Sequence, residues 1–257
     1  MRNVTITISQ AARFVRFQAP RGGNVHVLSL IRGLQGRYGF LQAPSKLEEY
    51  NYATGITFLQ GDFREQFSID RFQVFENGLA AMASKVDTAA LDEFIDDVIS
   101  WARDDMGVKQ DTPKARSYLS NLEFESDFSL DHCFGLMADV GRAVSSTVAG
   151  YGFENVGQYG LSSIAFNYDT TLSMPPHATS FSFERRAGRR FSENVYFSSA
   201  PLSTADHIEI LTMMERLLTN DTIAPSRPSG QSRSAARVPS SRPATSRPSR
   251  PTRQRRS

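Results

Sequence analysis

The sequence predicts an α+β fold, in which three to four helices pack on a largely antiparallel sheet. Short segments alternate apolar and polar residues as strands do, and between them apolar residues recur at helical spacing over longer stretches. After residue 220 the composition changes to Arg, Pro and Ser, which predicts a disordered C-terminal tail.

The first 50 residues predict two short strands and a helix. Residues 4–8 alternate in polarity, and residues 13–18 are expected to form a second strand. Apolar residues recur at helical spacing over 25–38, where Gly33 and Gly36 weaken the helix.

The central part of the chain contains the strongest pattern. Three strands are predicted, at 56–62, 67–75 and 79–84. Asn77 and Gly78 are a typical hairpin turn between the last two strands. The stretch 88–106 is strongly amphipathic, with Thr88 or Asp87 as N-cap and Gly107 as its end. This helix is expected to cover one face of the sheet.

The second half repeats this order of elements. Strands are predicted at 118–128, 161–168, 179–185 and 191–198, and helices at 130–149 and 203–218. The helix at 130–149 has an apolar stripe and an unusually small, weakly polar opposite side, against which another element or subunit could pack. Ser203 and Asp206 are a variant of the capping box.

Two segments, 54–107 and 161–219, have the same order of three strands and a helix. An internal duplication explains this order, and so does the general frequency of ββα units, because little residue identity accompanies the pattern. Both explanations predict an antiparallel sheet with helices on it.

The charge of the chain is divided between two regions. The tail from 225 to 257 contains nine Arg and no acidic residue, which leaves 20 basic and all 27 acidic residues, a net charge of about −7, to the first 224 residues. We therefore expect a globular domain at 1–220 and a disordered basic tail at 221–257.

The sequence points to a cytoplasmic protein. A single cysteine excludes an intramolecular disulfide and Cys-rich zinc patterns. The N-terminal segment lacks a continuous apolar run, and no stretch is long enough for a membrane span.

Catalytic motifs are absent from the sequence. His132 and Cys133 are adjacent and would point about 100° apart on a helix, so they cannot form a nucleophile pair by themselves. His207 is expected to pack or cap, and His26 and His177 have no second ligand at metal-binding spacing. No cofactor is predicted, and a non-enzymatic role is favoured over an enzyme.

Acidic residues provide one candidate metal site. Glu123, Glu125 and Asp127 share one strand face, about 6 to 7 Å apart. They could hold Mg²⁺ with a further carboxylate from another element, but a solvated face is the simpler interpretation. The aspartates at 92, 96 and 97 are likewise expected on the wet side of their helix.

Basic residues provide the candidate polyanion sites. Four arginines flank a tight turn at Ala187 and Gly188: Arg185, Arg186, Arg189 and Arg190. A solvated turn is the simpler interpretation of this cluster, and an anion that relieves the charge repulsion is the alternative. The tail contributes Arg227, Arg233, Arg237, Arg242, Arg247, Arg250, Arg253, Arg255 and Arg256. Arginines on a flexible chain contact phosphates without fixed geometry. Two alternatives remain open for the tail: contact with the acidic body of its own chain, and ordinary low-complexity linker.

Three functions are compatible with these features. The first is a non-enzymatic interaction or assembly protein, which forms homo-oligomers or binds a protein and uses its tail to bind nucleic acid or an acidic partner. The second is an enzyme with dispersed carboxylates and histidines, which a deep pocket with perturbed acid and base groups would indicate. The third is a virion-type packaging subunit, which large closed particles would indicate.

Overall fold

The computed structural model describes residues 1–18, 26–110, 115–152, 157–167, 169 and 179–221, and its elements confirm the predicted α+β class. The tail predicted at 221–257 lies outside the described residues, except for Asp221. In chain order the elements are β1 (Arg2–Phe14), β2 (Phe17–Gln18), α1 (Val27–Tyr38), β3 (Ile56–Phe63), β4 (Phe67–Phe75), β5 (Gly78–Ser84), α2 (Thr88–Met106), β6 (Lys109–Gln110), β7 (Ala115–Glu125), α3 (Leu130–Cys133), α4 (Gly135–Gly150), β8 (Ser163–Phe166), β9 (Phe181–Arg185), β10 (Val195–Ala200) and α5 (Thr204–Asp221).

One antiparallel sheet of eight strands organises the described chain. Its order is β3-β4-β5-β1-β7-β10-β9-β8, and β2 pairs with β6 separately. Along the chain, each half of the sheet begins with a long central strand, continues with a helix and three more strands, and ends with a second helix. The repeated order of elements is therefore present in the topology, but its units begin at β1 and β7 rather than at residues 54 and 161.

The pairing of the two halves follows the same symmetry. Ser9 pairs with Ser120 across the central strands, while Ser9 also pairs with Ala83 and Ser120 with Ala200. The helices that follow begin side by side: the Thr88 amide donates to Thr204 Oγ1 at 3.1 Å, and the Thr204 amide donates to Thr88 Oγ1 at 2.9 Å. Each of these two residues thus satisfies a free amide at the start of the other helix.

The larger core lies between the first half of the sheet and helices α1 and α2. Phe94 of α2 packs edge-on against Phe72 at a centroid distance of 5.2 Å and against Tyr38 of α1 at 5.0 Å. Aromatic pairs in this geometry add to the stabilisation from burial alone. The prediction that 88–106 covers a sheet face is confirmed, with Asp87 as its N-cap and Gly107 as its C-cap.

A smaller core lies in the second half, between the sheet and α5. It includes Leu122, Phe124, Phe183 and Tyr196 of the sheet and Leu211 of α5. Helical spacing over 203–218 predicts a buried apolar stripe of Ile210, Leu211, Met213, Met214, Leu217 and Leu218, and this prediction is only partly correct. Two of its members are largely exposed, Met213 at 49% and Leu217 at 58%.

The sequence predicted two separate N-terminal strands, but the structure has one long strand over most of this region. β1 is a single strand of 13 residues that pairs with both β5 and β7. Ile6 pairs with Leu122 and Ile8 with Asn121, so Thr7 is an extra residue in the ladder. This bulge puts Ile6 and Ser9 on the same face. A simple alternating pattern across 4–14 cannot show such a change of face.

Two further predicted elements differ in the structure. The helix predicted at 130–149 is broken at Phe134, whose φ of −124° and ψ of 63° are not helical. The strand predicted at 191–198 begins only at Val195, because Phe191–Glu193 form a 3-10 helix. The connection from β9 to β10 is therefore longer than the predicted turn at Ala187 and Gly188.

The two glycines of α1 have different environments. A Cβ on Gly33 would lie 2.4 Å from Cζ2 of Trp101, so glycine allows α1 to approach the indole ring of α2. A Cβ on Gly36 would meet no atom within 4 Å. Gly33 is thus required by packing, whereas Gly36 only weakens the helix.

We predict opposite effects for alanine at these two positions. Gly33→Ala should lower the free energy of unfolding by about 1 to 3 kcal/mol, because the methyl group collides with Trp101. Gly36→Ala should raise it by about 0.5 to 1 kcal/mol through helix propensity. Urea denaturation of both variants checks this, and Trp101→Phe should recover part of the loss in the Gly33→Ala background. Equal effects at the two positions would contradict the described packing of α1 on α2.

Candidate functional site

The predicted cluster of four arginines is divided by the structure. Arg185 ends β9, and its side chain is only 5% exposed. Its guanidinium donates to the Asp131 carboxylate at 2.8 Å and to the carbonyls of Leu161 and Phe191, both at 3.0 Å. It also lies 4.2 Å from the centre of the Phe191 ring. Arg185 therefore joins β9 to α3 and to the following loop, and its charge is compensated internally.

The other three arginines lie in the loop 186–194, which we call the arginine loop. Arg186 Nε donates to Glu123 at 2.8 Å, and Arg189 pairs with Glu193 at 3.4 Å. Arg190 is exposed, and its backbone amide donates to Glu193. The loop is therefore a weakly basic surface, since two of its three guanidinium groups already have carboxylate partners.

The acidic strand face is also partly neutralised. Glu123 pairs with Arg186, and Asp127 pairs with Arg2 at 2.8 Å. Among the described residues, no group of three His, Cys, Asp or Glu side chains is placed to hold a metal ion. The simpler interpretation of Glu123, Glu125 and Asp127 as a solvated, ion-paired face agrees with these contacts.

The α2 aspartates were expected in solvent, but two of them hold neighbouring elements together. The Asp97 carboxylate accepts from Tyr38 at 2.7 Å, from Arg64 at 2.8 Å and from Arg37 at 3.0 Å. Burial alone would raise the pKa of Asp97, but these three donors outweigh it and hold the pKa below its usual value. Asp97 thus fixes α1 and β3 against α2.

Asp92 has the same role at the central strands. It accepts from Arg13 and from the Tyr118 hydroxyl, at 2.8 and 2.7 Å, and Arg13 also pairs with Asp96. The Arg13 side chain is only 4% exposed, and its Nε has no hydrogen-bond partner. A buried arginine of this kind depends on its carboxylates, because an unpaired buried charge is very costly.

Of the two histidines whose side chains the structure describes, His26 and His207, only His207 lies in a buried network. It is fully buried on α5, with Nδ1 at 2.6 Å from Ser120 Oγ and Nε2 at 2.8 Å from Ser198 Oγ. His26 begins α1 without a side-chain cap. His177 and the side chains of His132 and Cys133 lie outside the described part of the chain.

The hydrogen bonds of His207 define one tautomer. Ser198 donates its hydroxyl proton to the Ser182 carbonyl at 2.7 Å, so it accepts from Nε2–H of His207. Nδ1 then accepts from Ser120. Burial lowers the pKa of His207 to about 4, because the charged form is desolvated. The expectation of a packed histidine is confirmed, and the network has no carboxylate that could activate a serine nucleophile.

The sequence did not predict an exposed apolar face on α4. We define the α4 face by Phe134, Met137, Val140 and Val144, which are 36%, 46%, 54% and 37% exposed. Met137, Val140 and Val144 belong to the apolar stripe predicted for the helix at 130–149, whereas Phe134 did not belong to that stripe. The spacing was visible in the sequence, but the direction of the stripe was not.

α4 packs through small residues that flank the α4 face, whereas Gly135 and Ser146 on the opposite side of the helix are exposed. Gly141 is buried, and a Cβ there would lie 2.3 Å from the Tyr159 carbonyl oxygen. Ser145 Oγ accepts from the Tyr159 amide at 2.9 Å. The helix is therefore attached through close backbone contact at its small residues, and its larger apolar residues are left exposed.

Comparison with known proteins gives a weak structural similarity. No family model and no curated protein matches the sequence. Among solved structures, Methanococcus jannaschii TBP is similar with a TM-score of 0.43 and 10% identity, over 84% of this chain and 98% of that chain.

The described helices also bear on membrane association. None of the helices in the described part of the chain is long and apolar enough to cross a membrane.

We predict that His207 makes stability sensitive to mild acid. The pKa of His207 is about 4 in the folded state, whereas an unperturbed histidine, which represents the unfolded chain, has a pKa of 6.5. The unfolded chain therefore binds the proton first as the pH falls. The free energy of unfolding should therefore decrease from about pH 6.5 to pH 4, by up to about 3 kcal/mol. Urea denaturation across this range should show a shallower decrease for His207→Gln. Identical pH slopes for the two proteins would contradict this account.

Proposed function

We propose that this chain is a non-enzymatic assembly protein that self-associates through the α4 face and binds nucleic acid or another polyanion through its basic tail. The observation that supports self-association most directly is the exposure of the α4 face. Contiguous exposed apolar residues on a soluble protein typically mark an interaction surface.

The internal repeat makes this exposure more informative. α1 and α4 occupy the same place in the order of elements of the two halves. α1 buries Leu30, Ile31, Leu34 and Tyr38 against the core. On α4, Gly141 is the one buried residue among those whose side chains are described. The second half therefore leaves uncovered a helix whose counterpart in the first half is covered.

A second copy of α4 is the partner that this face fits. Met137, Val140 and Val144 are spaced three and four residues apart, which is the a/d spacing by which two helices interlock. None of them is charged, so two copies can meet although each body carries about −7. A contact of a surface with its own copy also gives the twofold symmetry that is commonest among homo-oligomers.

We predict that Val140→Asp disrupts self-association. The aspartate would be buried without a partner at the centre of the seam, which should raise the dissociation constant on the order of tenfold or more. Light scattering on size-exclusion fractions over a range of concentrations measures this. Ser146→Asp, on the opposite side of the same helix, adds the same charge and should leave assembly unchanged.

Two results of this experiment would contradict self-association. One is a wild-type protein that remains monomeric at tens of micromolar. The other is a Val140→Asp variant that assembles as the wild type does. Particles far larger than dimers or tetramers would instead favour a packaging subunit.

The proposal for the tail rests on its composition. Nine arginines without an acidic residue on a Ser- and Pro-rich segment favour contact with phosphates. The contacts of the body make the intramolecular alternative weaker, because the clustered aspartates of α2 already pair with arginines of the body itself. A polyanion from outside the chain is then the better partner for the tail.

We predict steeply salt-dependent binding by the full-length chain. If about six tail arginines contact phosphates, affinity for duplex DNA or RNA should fall on the order of a thousandfold between 50 and 200 mM salt, with little dependence on base sequence. Fluorescence anisotropy at several salt concentrations measures this. Deletion of 225–257 should remove most of the binding.

The control for the tail is the arginine loop. Replacing Arg186, Arg189 and Arg190 together with serine should have a small effect, because two of them are paired with glutamates. Arg185 stays unchanged in this variant, since its loss would leave Asp131 without its buried partner. No binding to either nucleic acid at micromolar concentrations and 50 mM salt would refute the polyanion role.

A further inference from the structure

The larger core contains a cavity of about 560 Å³ near the C-terminal half of α2. Its wall includes Leu34 of α1, Leu79 of β5, and Val98, Ile99 and Ala102 of α2. Each of these side chains is at least 91% buried, whereas Glu76, which also lines the cavity, is exposed, so the cavity is an open pocket whose floor lies in the core.

The pocket leaves core side chains without packing partners on one side, although protein interiors are otherwise close-packed. The volume and the mainly apolar wall are instead typical of pockets that bind small organic molecules.

Two polar residues distinguish one end of the cavity. Glu76 and Tyr52 both line it, and the Glu76 amide donates to the Tyr52 carbonyl at 3.2 Å, so the two residues lie side by side. Glu76 is exposed, and in the described part of the chain its carboxylate forms no ion pair. Burial raises the pKa of Tyr52, so its hydroxyl stays neutral at physiological pH.

We infer that this cavity binds a small apolar amine, with its hydrocarbon part among the α1 and α2 side chains and its ammonium group at Glu76. The apolar wall selects the hydrocarbon part, and the carboxylate selects a cation over an anion of the same shape. The site is separate from the α4 face and from the tail, and it does not depend on the function proposed for them.

The chain contains its own reporter for this site. Trp101 is the single tryptophan, and it lies in α2 next to Val98, Ile99 and Ala102, which line the cavity. Occupation of the cavity should therefore change its fluorescence.

Three probes of equal chain length test the inference on the full-length protein: decylamine, decanol and decanoate, below the concentrations at which they form micelles. Decylamine should shift Trp101 fluorescence saturably and raise the melting temperature, decanol should bind more weakly, and decanoate should bind weakest. No saturable response to decylamine would overturn the inference. Decanoate that binds as well as decylamine would overturn it too, because Glu76 would then have no role in selection.

Two variants locate the binding. Ala102→Phe fills the cavity and should abolish the response to decylamine, and an unchanged response would place binding elsewhere and refute the site. Glu76→Gln alters only an exposed residue, so it should fold normally, and it should weaken decylamine about fivefold, the scale of an exposed ion pair, without affecting decanol. Glu48→Gln, another exposed glutamate, is the matched control and should bind decylamine as the wild type does.

Discussion

The structure depends on the antiparallel pairing of β1 with β7 at the centre of the sheet. Arg2–Phe14 and Ala115–Glu125 pair along almost their whole length, and the other strands of this eight-stranded sheet extend outward from them. Helix α2 follows the outer strands of the first half, and helix α5 follows those of the second half. Both helices begin beside this pair, where the backbone amides of Thr88 and Thr204 each donate to the side chain of the other residue. Because each half supplies one central strand and one partner threonine, neither half can complete its own sheet or helix start without the other.

The symmetry of the backbone does not extend to the chemistry of the side chains. Thr88 corresponds to Thr204, so three residues further along each helix Leu91 corresponds to His207. In the second half His207 satisfies Ser120 at 2.6 Å. In the first half the corresponding Ser9 is buried, and its hydroxyl has no hydrogen-bond partner. Apolar packing is therefore better developed in the first half, and a polar network takes part of its place in the second.

The sequence was sufficient for elements whose pattern is local. The helix at 88–106 shows its face, its Asp87 cap and its Gly107 end within one stretch. The hairpin between β4 and β5 was also predicted, but its two turn residues are Glu76 and Asn77, because Gly78 already pairs with Phe75. The extra residue at Thr7 was not predictable, because a bulge is defined by the register of a partner strand more than 100 residues away. Arg185 looked like a solvated charge for the same reason, since its partner Asp131 is distant in sequence.

The α4 face shows the same limit for a functional site. Periodicity shows that Met137, Val140 and Val144 share one side of a helix, but it cannot show whether that side meets the core or the solvent. Here the small residues decide the orientation, because Gly141 permits a backbone approach that a larger side chain would prevent. The close contact at Gly141 fixes the helix by its small residues, and the apolar residues beside them remain exposed in the described part of the chain. Both halves have a helix at this place in the order of elements. Because of the close contact at Gly141, only the helix of the second half has its apolar residues mainly exposed.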